Sequence, residues 1–322
     1  MADTKRQIIA QSALLLLLIL LPWIAGLLRM PDLISLGSQV VIYALAAAGL
    51  NLLIGGTGLS SFGHAAFFGL GGYVVGIAAF HAADGSLFLG LLPGATDAWI
   101  VWPIAFLVAA VAAAVIGALS LRTTGVSFIM ITLAFAQMLY YLFAALKIYG
   151  GDDGLSFRRR NTIPWMNPRD DVGFYFVCLI GFVAVTVLLR AVNRSRFGMV
   201  LHGIRQSERR MAAIGVHTYR YKLAAFTIAG AIAGFAGAMQ ANLLRFVSPD
   251  MLHWTMSGDF IAMVVLGGMG ALPGPLLGAA VMVLLQSWLA QWTEHWMIIM
   301  GPMLVAVPLL ARRGLWGAIG GR

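Results

Sequence analysis

Apolar residues in this chain fall in long, nearly unbroken runs rather than in the alternating or one-sided stripes of soluble elements. A hydrocarbon core of about 30 Å takes roughly 20 apolar residues per helix. On that measure the pattern predicts about ten crossings, near 8–28, 34–54, 62–80, 99–121, 124–146, 173–190, 223–243, 257–270, 275–291 and 296–311. The fold expected is an all-α, polytopic integral membrane helical bundle, with broken or re-entrant helices among the crossings. Residues 1–322 form a single membrane-spanning domain, and no length remains for a soluble catalytic one. The run after Lys5 and Arg6 exceeds a signal-peptide core and lacks a clean cleavage site, so it reads as a retained first helix.

Two polar stretches interrupt the runs. Gly150, Gly151, Gly154, Pro164 and Pro168 make 147–171 a loop built of turns. The second stretch, within 191–222, is basic and mostly free of breakers, which predicts short surface helices.

One apolar run differs from the rest. "NLLIGGTGLSSFGHAAFFGLGGYVVG", from Asn51 to Gly76, mixes glycines with Asn51, Thr57, Ser60, Ser61 and His64. Small residues let membrane helices approach closely, which accounts for most of these glycines. The core "IGGTGLSSFGH" is too dense in Gly and Ser for a good continuous helix. A break is expected there, with its freed backbone groups satisfied by protein or by a water-lined cavity. A second segment, "VLGGMGALPGPLLGAAV", echoes it: Gly55, Gly56 and Gly58 match Gly267, Gly268 and Gly270. Duplication and chance matching of Gly-rich sequence are both open. Polar residues recur at Thr132 and Gln137 in the fifth crossing. The translocation path is accordingly expected at Asn51, Gly55, Gly56, Ser61, Gly63, His64, Thr132, Gln137, Gly267 and Gly268.

Composition fits this picture, with 61% hydrophobic residues, 10% charged and a mean hydropathy of +0.90. The net charge of +9 would suit a nucleic-acid partner, but its distribution says otherwise. With the N-terminus inside, the inner segments hold 14 of the 21 basic residues and two acids, while the outer ones hold seven and ten. Positive charge inside therefore orients the chain with both termini cytoplasmic, 191–222 cytoplasmic and 147–171 extracytoplasmic. The lipid bilayer is the partner this implies, and no nucleic acid is needed. The loop 147–171 is in tension with the rule, because it carries Lys147, Arg158, Arg159, Arg160 and Arg169. Cys178 is the single cysteine, so no internal disulfide or Cys cluster can form.

Catalytic motifs are missing. No GxxxxGK[ST], HExxH or GxSxG occurs, and the six histidines are scattered in sequence. No catalytic or metal-ligating residues and no cofactor of this chain's own are expected. Asp259 and Glu294 are placed near helix ends, as interfacial carboxylates, which leaves an ion-coupled carrier without its mid-span charge. His64 is expected mainly as a packing residue donating to a carbonyl. Trp99, Trp102, Trp288, Trp292 and Trp296 fall at predicted helix ends, as interfacial anchors do.

Within 191–222, "IRQSERRMAAIGVHTYRYK" offers a short helix ending at Gly215 with small residues on one face, a shape that docks in a partner's groove. Together with "GLNLLIGGTGLSSFGHAAFFGLGGY", "LRTTGVSFIMITLAFAQ", "YGGDDGLSF" and "VLGGMGALPGPLLGAAV", it resembles the branched-chain amino acid ABC transporter permeases, the longer of their two paired subunits. The resemblance runs from about residue 45 to 285. It implies a bacterial cytoplasmic (inner) membrane location, a second homologous permease, two cytoplasmic ATPase subunits that bind ATP and Mg, and a periplasmic or extracellular solute-binding protein. It also implies ATPase coupling through Arg205, Glu208, Arg209, Ala212, Ala213 and Gly215. The match to an E-A-A-x-x-x-G loop is loose, since Arg209 and Arg210 follow Glu208 directly. Permeases for urea and short amides share the family, so those solutes, and in another class an ion-coupled secondary carrier, are the alternatives to branched-chain amino acid import.

Overall fold

The computed structural model describes residues 2–30, 32–88, 92–164, 167, 170–292, 295, 298–302 and 314–320. Its long helices are α1 (Ala2–Leu28), α2 (Asp32–Thr57), α3 (His64–Asp84), α4 (Ala98–Ser120), α5 (Val126–Ala145), α6 (Asp171–Arg194), α9 (Thr218–Leu244) and α11 (Gly274–Trp292). Eight helical segments, seven of these helices and Gln11–Leu28 of α1, are long and apolar enough to span a bilayer. Two short helices, α7 (Arg196–Gln206) and α8 (Glu208–Ala213), fill the basic stretch where surface helices are expected. Among the described residues strands are confined to two-residue ladders, β1 (Leu87–Phe88) with β2 (Leu92–Pro93) and β3 (Leu155–Ser156) with β4 (Phe246–Val247). The chain is thus an all-α polytopic bundle.

The expected crossing at 257–270 takes a different form. Residues 246–252 descend along α3 as β4 and a 3-10 turn, with Val247 against Gly76, Met251 against Gly72 and Leu252 against Gly69. Only then does α10 (Trp254–Gly267) begin, and its 14 residues cover about 21 Å at 1.5 Å each, short of a full span. Glycines along α3 make room for this extended strap. The crossing at 296–311 lies largely outside the described residues, as do Glu294 and Trp296, and 298–302 are helical.

At the centre lies α2, whose spanning window is 94% buried, which suits a helix apolar on every side. On one flank it packs against α9, which on its other side shares a seam of small residues with α3 and α4. Gly230 and Gly234 of α9 face Ala113 and Ala109 of α4, and Gly71 of α3 faces the Gly234 backbone. Lipid tails are as apolar as leucine, so close van der Waals approach is what joins such helices.

The loop 147–171 folds onto the ends of α6 and α9. Arg160, 6% exposed, pairs with Asp171 at 2.6 Å, lies over the Phe174 ring and donates to the Asn242 carbonyl at 3.0 Å. Its charge is neutralised within the fold, which eases the tension with the charge rule. Asn161 and Asn242 complete the join: the Asn161 backbone N–H donates to Asn242 Oδ1, and Asn242 Nδ2 donates to Asn161 Oδ1.

Candidate functional site: two interrupted helices and the short helices that hold them

The predicted break is real but narrow. Gly55, Gly56 and Thr57 continue α2 as helix, and the chain leaves helical geometry only from Gly58 to Gly63. Gly58 adopts φ +76°, a left-handed conformation that costs other L-residues strain. After this turn α3 does not start level with its neighbours. The His64 ring packs against Phe226, eight residues or about 12 Å into α9, and Gly63 packs against Thr132, six residues or about 9 Å into α5. The turn is therefore re-entrant.

α10 starts at the same level. Glycine at the N-cap of α3 offers no side chain, and Ser257 of α10 supplies the missing acceptor to the Ala65 N–H at 2.8 Å. Two helix N-termini thus meet inside the bundle, joined by one hydroxyl. Ser257 was not singled out by sequence; a lone serine in an apolar run has no distinguishing pattern.

Around this junction Ser61 is fully buried and accepts from the Gly63 N–H at 3.1 Å, while Thr132 bonds back to the Ile129 carbonyl. His64 is fully buried between Phe67 and Phe226, and neither ring nitrogen has a hydrogen-bond partner among the described residues. The carbonyl acceptor expected for it is not found. Gln137 stands apart, half-buried one turn before Tyr140, whose ring packs against His253 at the start of α10. Asp259, expected at the interface, sits in the second turn of α10 next to Phe260, which packs against Phe68 and Tyr43 in the interior.

The remaining path residues form a second cluster where the two Gly-rich turns touch. Asn51 uses both ends of its amide on the turn after α10: Nδ2 donates to the Ala271 carbonyl at 2.9 Å and Oδ1 accepts from the Gly270 N–H at 2.8 Å. A Cβ on Gly55 would come within 2.6 Å of Gly270 Cα, so these two backbones meet with no room for a side chain. Gly56 lies under Leu201 of α7, while Gly267 and Gly268 pack against Gly274 and Gly314. Sequence placed all these residues in one path; the structure separates them into an interior junction and a clamp at the Arg-rich end.

The residues expected to couple to ATPases divide similarly. Arg205 turns inward and donates to the Gly55 carbonyl at 2.6 Å. That carbonyl lies in the last turn of α2, where helix carbonyls lack intrahelical donors and the dipole favours a cation. Ser207 caps α8, and Glu208 pairs with buried Lys222 at 2.6 Å while accepting from Thr218. Arg209, Ala212, Ala213 and Gly215 are exposed, and so is Ile214 at 73%.

Burial alone would raise the Glu208 pKa, but hydrogen bonds from Lys222 and Thr218, with the lysine charge, hold it below its ordinary value. A lowered folded value stabilises α8 fully above the unfolded pKa of about 4.3, and this is lost as pH falls through the folded value. Glu208 is 42% exposed, so the pair is worth about 1 kcal/mol or less. Hydrogen exchange should therefore show the α8 amides opening progressively more often as pH falls below about 4, up to a few-fold relative to pH 7, and Glu208→Gln should abolish that difference.

An all-α membrane bundle that brings interrupted helices together inside the bilayer is the architecture of a solute permease. The comparisons agree: the chain belongs to the family described as branched-chain amino acid transport system / permease component, matched over residues 33–308. It is similar to the high-affinity branched-chain amino acid transport system permease protein LivM of Escherichia coli (strain K12), 27% identical over 97% of this chain and 76% of that protein. The LivM protein of Salmonella typhimurium is 28% identical over 88% and 69%. LivH of Escherichia coli (strain K12), a permease protein of the same description, is 23% identical over 44% of this chain and 46% of its own length. No solved structure matches significantly. The protein is a multi-pass inner-membrane permease subunit, a transport component of the ABC importer class.

Proposed function

We propose that this chain forms one half of the pore of an ATP-driven importer for branched-chain amino acids or a related small polar solute. The other half is a second, homologous permease, and similarity to both LivM and LivH supports such a pairing. Two cytoplasmic ATPase subunits bind ATP and Mg, and an extracytoplasmic binding protein selects the solute. The charge distribution supports cytoplasmic termini and a cytoplasmic 191–222 segment.

The observation that carries the mechanism is the Arg205–Gly55 contact. α8 presents Arg209, Ala212, Ala213 and Gly215 outward for an ATPase groove, and α7, beside it, is bonded to the last turn of α2. Movement of α8 under the ATPases pulls on the clamp of Asn51, Gly55, Gly267 and Gly268. The clamp shifts α2 and α10, and the junction at Ser61, Gly63, His64 and Thr132 opens toward one side or the other. Solute passes along the α5–α10 face, where Gln137 and the His253–Thr255 pair offer hydrogen bonds.

Among the described residues Asp259 favours an ion-coupled carrier, since its helix starts inside the bundle. One experiment separates the readings: mild-detergent purification of the tagged chain from native membranes, with mass spectrometry of what accompanies it. Co-recovery of a second permease and P-loop ATPases is the expected result. Recovery of the chain alone, moving solute on an ion gradient in proteoliposomes, would overturn it. Solute screening of the co-recovered binding protein then decides between branched-chain amino acids and urea or short amides.

A further inference from the structure

Beyond transport, the bundle carries an amphiphile-shaped recess that none of the roles above uses. Its polar part is a cavity of about 690 Å³ at the Arg-rich end, lined by Arg190, Asn193 and Arg194 of α6, His202 of α7, and the 268–273 turn, with Trp316 closing one side. Among the described residues no acidic side chain lines it, and neither arginine has an ion-pair partner. Its apolar part is a groove of about 190 Å³ that shares Gln11, Arg190, Leu272 and Pro273 with the cavity.

The groove runs between two helical stripes. On α1 these are Gln11, Leu14, Leu15 and Leu18; on α6 they are Arg190, Val187, Thr186, Val183, Phe182 and Leu179. Both stripes have the three- and four-residue spacing of a single helix face, and both are polar at the cavity end and apolar beyond it. One turn from Arg190, the Thr186 hydroxyl oxygen is buried with no hydrogen-bond partner among the described residues.

We propose that this recess binds one anionic phospholipid. Its phosphate head pairs with Arg190 and Arg194, its glycerol region passes Thr186 at the groove wall, and an acyl chain lies against Leu14, Leu18, Phe182 and Val183. A soluble phosphate would leave the groove empty, and a zwitterionic lipid would present its own cation to two arginines. Basic pockets between transmembrane helices are suited to anionic head groups. The cavity wall includes Gly270 and Ala271, the residues Asn51 clamps, so the bound head steadies the turn that links α10 to α2.

The test is native mass spectrometry of the intact complex, titrated with dioleoyl phosphatidylglycerol, dioleoyl phosphatidylcholine or glycerol 3-phosphate. The chain is expected to retain one phosphatidylglycerol in preference to phosphatidylcholine. Arg190→Ala with Arg194→Ala should weaken that retention roughly 10- to 30-fold, and the paired lysine variants should keep most of it. Thr186→Phe, which fills the groove, should also reduce it, so the test does not depend on one variant folding. Equal retention of phosphatidylcholine would overturn the proposal, and so would displacement of phosphatidylglycerol by glycerol 3-phosphate with Thr186→Phe having no effect. Retention by the isolated chain but not by the complex would mean that a partner permease fills the groove, and would overturn it too.

Discussion

Gly237→Ala is expected to separate α3 from α9 and to leave little folded protein. A Cβ at this position overlaps the Phe68 carbonyl oxygen, and both partners are helix backbone that cannot turn aside. Inside a helix, glycine to alanine alone is favourable by about 1 kcal/mol. Overpacking a tight contact costs about 1–3 kcal/mol, and more where backbone meets backbone. The clash wins, and it acts where α9 passes between α3 and α4. Gly26→Ala is the matched control: it too is helical, but its Cβ meets nothing within 4 Å. Detergent-solubilised Gly237→Ala should aggregate at lower temperature than the parent, and Gly26→Ala should match the parent or exceed it. Equal stability of the two variants would show that α3 and α9 are not held by this contact.

Glycine placement shows what could be read in advance. Close approach of membrane helices demands small residues, so a packing role for the glycines was legible from the apolar runs, as was the position of the eight long segments, although the runs gave about ten crossings. The strap at 246–252 was not. It crosses as extended chain and a 3-10 turn shielded by Gly69, Gly72 and Gly76, and hydropathy scores such a segment no differently from a helix end. That strap is why α10 is short and why Asp259 lies deeper than expected. The meeting of Asn51 with Gly270 and Ala271 spans some 220 positions, and no local pattern encodes it. The two Gly-rich segments that echo each other prove to be the ones whose turns touch, but similarity of two segments does not by itself imply contact. Arg205 illustrates a limit of another kind: charge assigned it to the cytoplasmic surface, but only geometry shows its side chain reaching back to α2.

Arg205→Met should reduce solute uptake about tenfold while the ATPases go on hydrolysing ATP. The methionine keeps much of the arginine stem's apolar packing and removes only the cation, so what is lost is one charge-assisted hydrogen bond, worth about 1.5–3 kcal/mol in general. Solvent at this partly exposed site favours the lower end, which corresponds to a factor of about ten. Removing it leaves the Gly55 carbonyl without its donor and α7 held to α2 only by packing such as that of Leu201 on Gly56, while the outward face of α8 remains available to a partner. Transport and hydrolysis should therefore part company in proteoliposomes of the assembled complex, with Arg205→Lys restoring part of the uptake because a lysine can still donate. Unchanged uptake would place the drive elsewhere, and parallel loss of uptake and hydrolysis would make Arg205 a docking residue instead of a link. The comparison with Arg160 explains why an arginine is suited to the position. At the opposite end of the bundle Arg160 donates to the Asn242 carbonyl, in the last turn of α9, but it is buried and locked by Asp171 and Phe174. Arg205 has no ion-pair partner among the described residues, so the same kind of bond, to the end of a helix that the proposed mechanism moves, can be broken and remade.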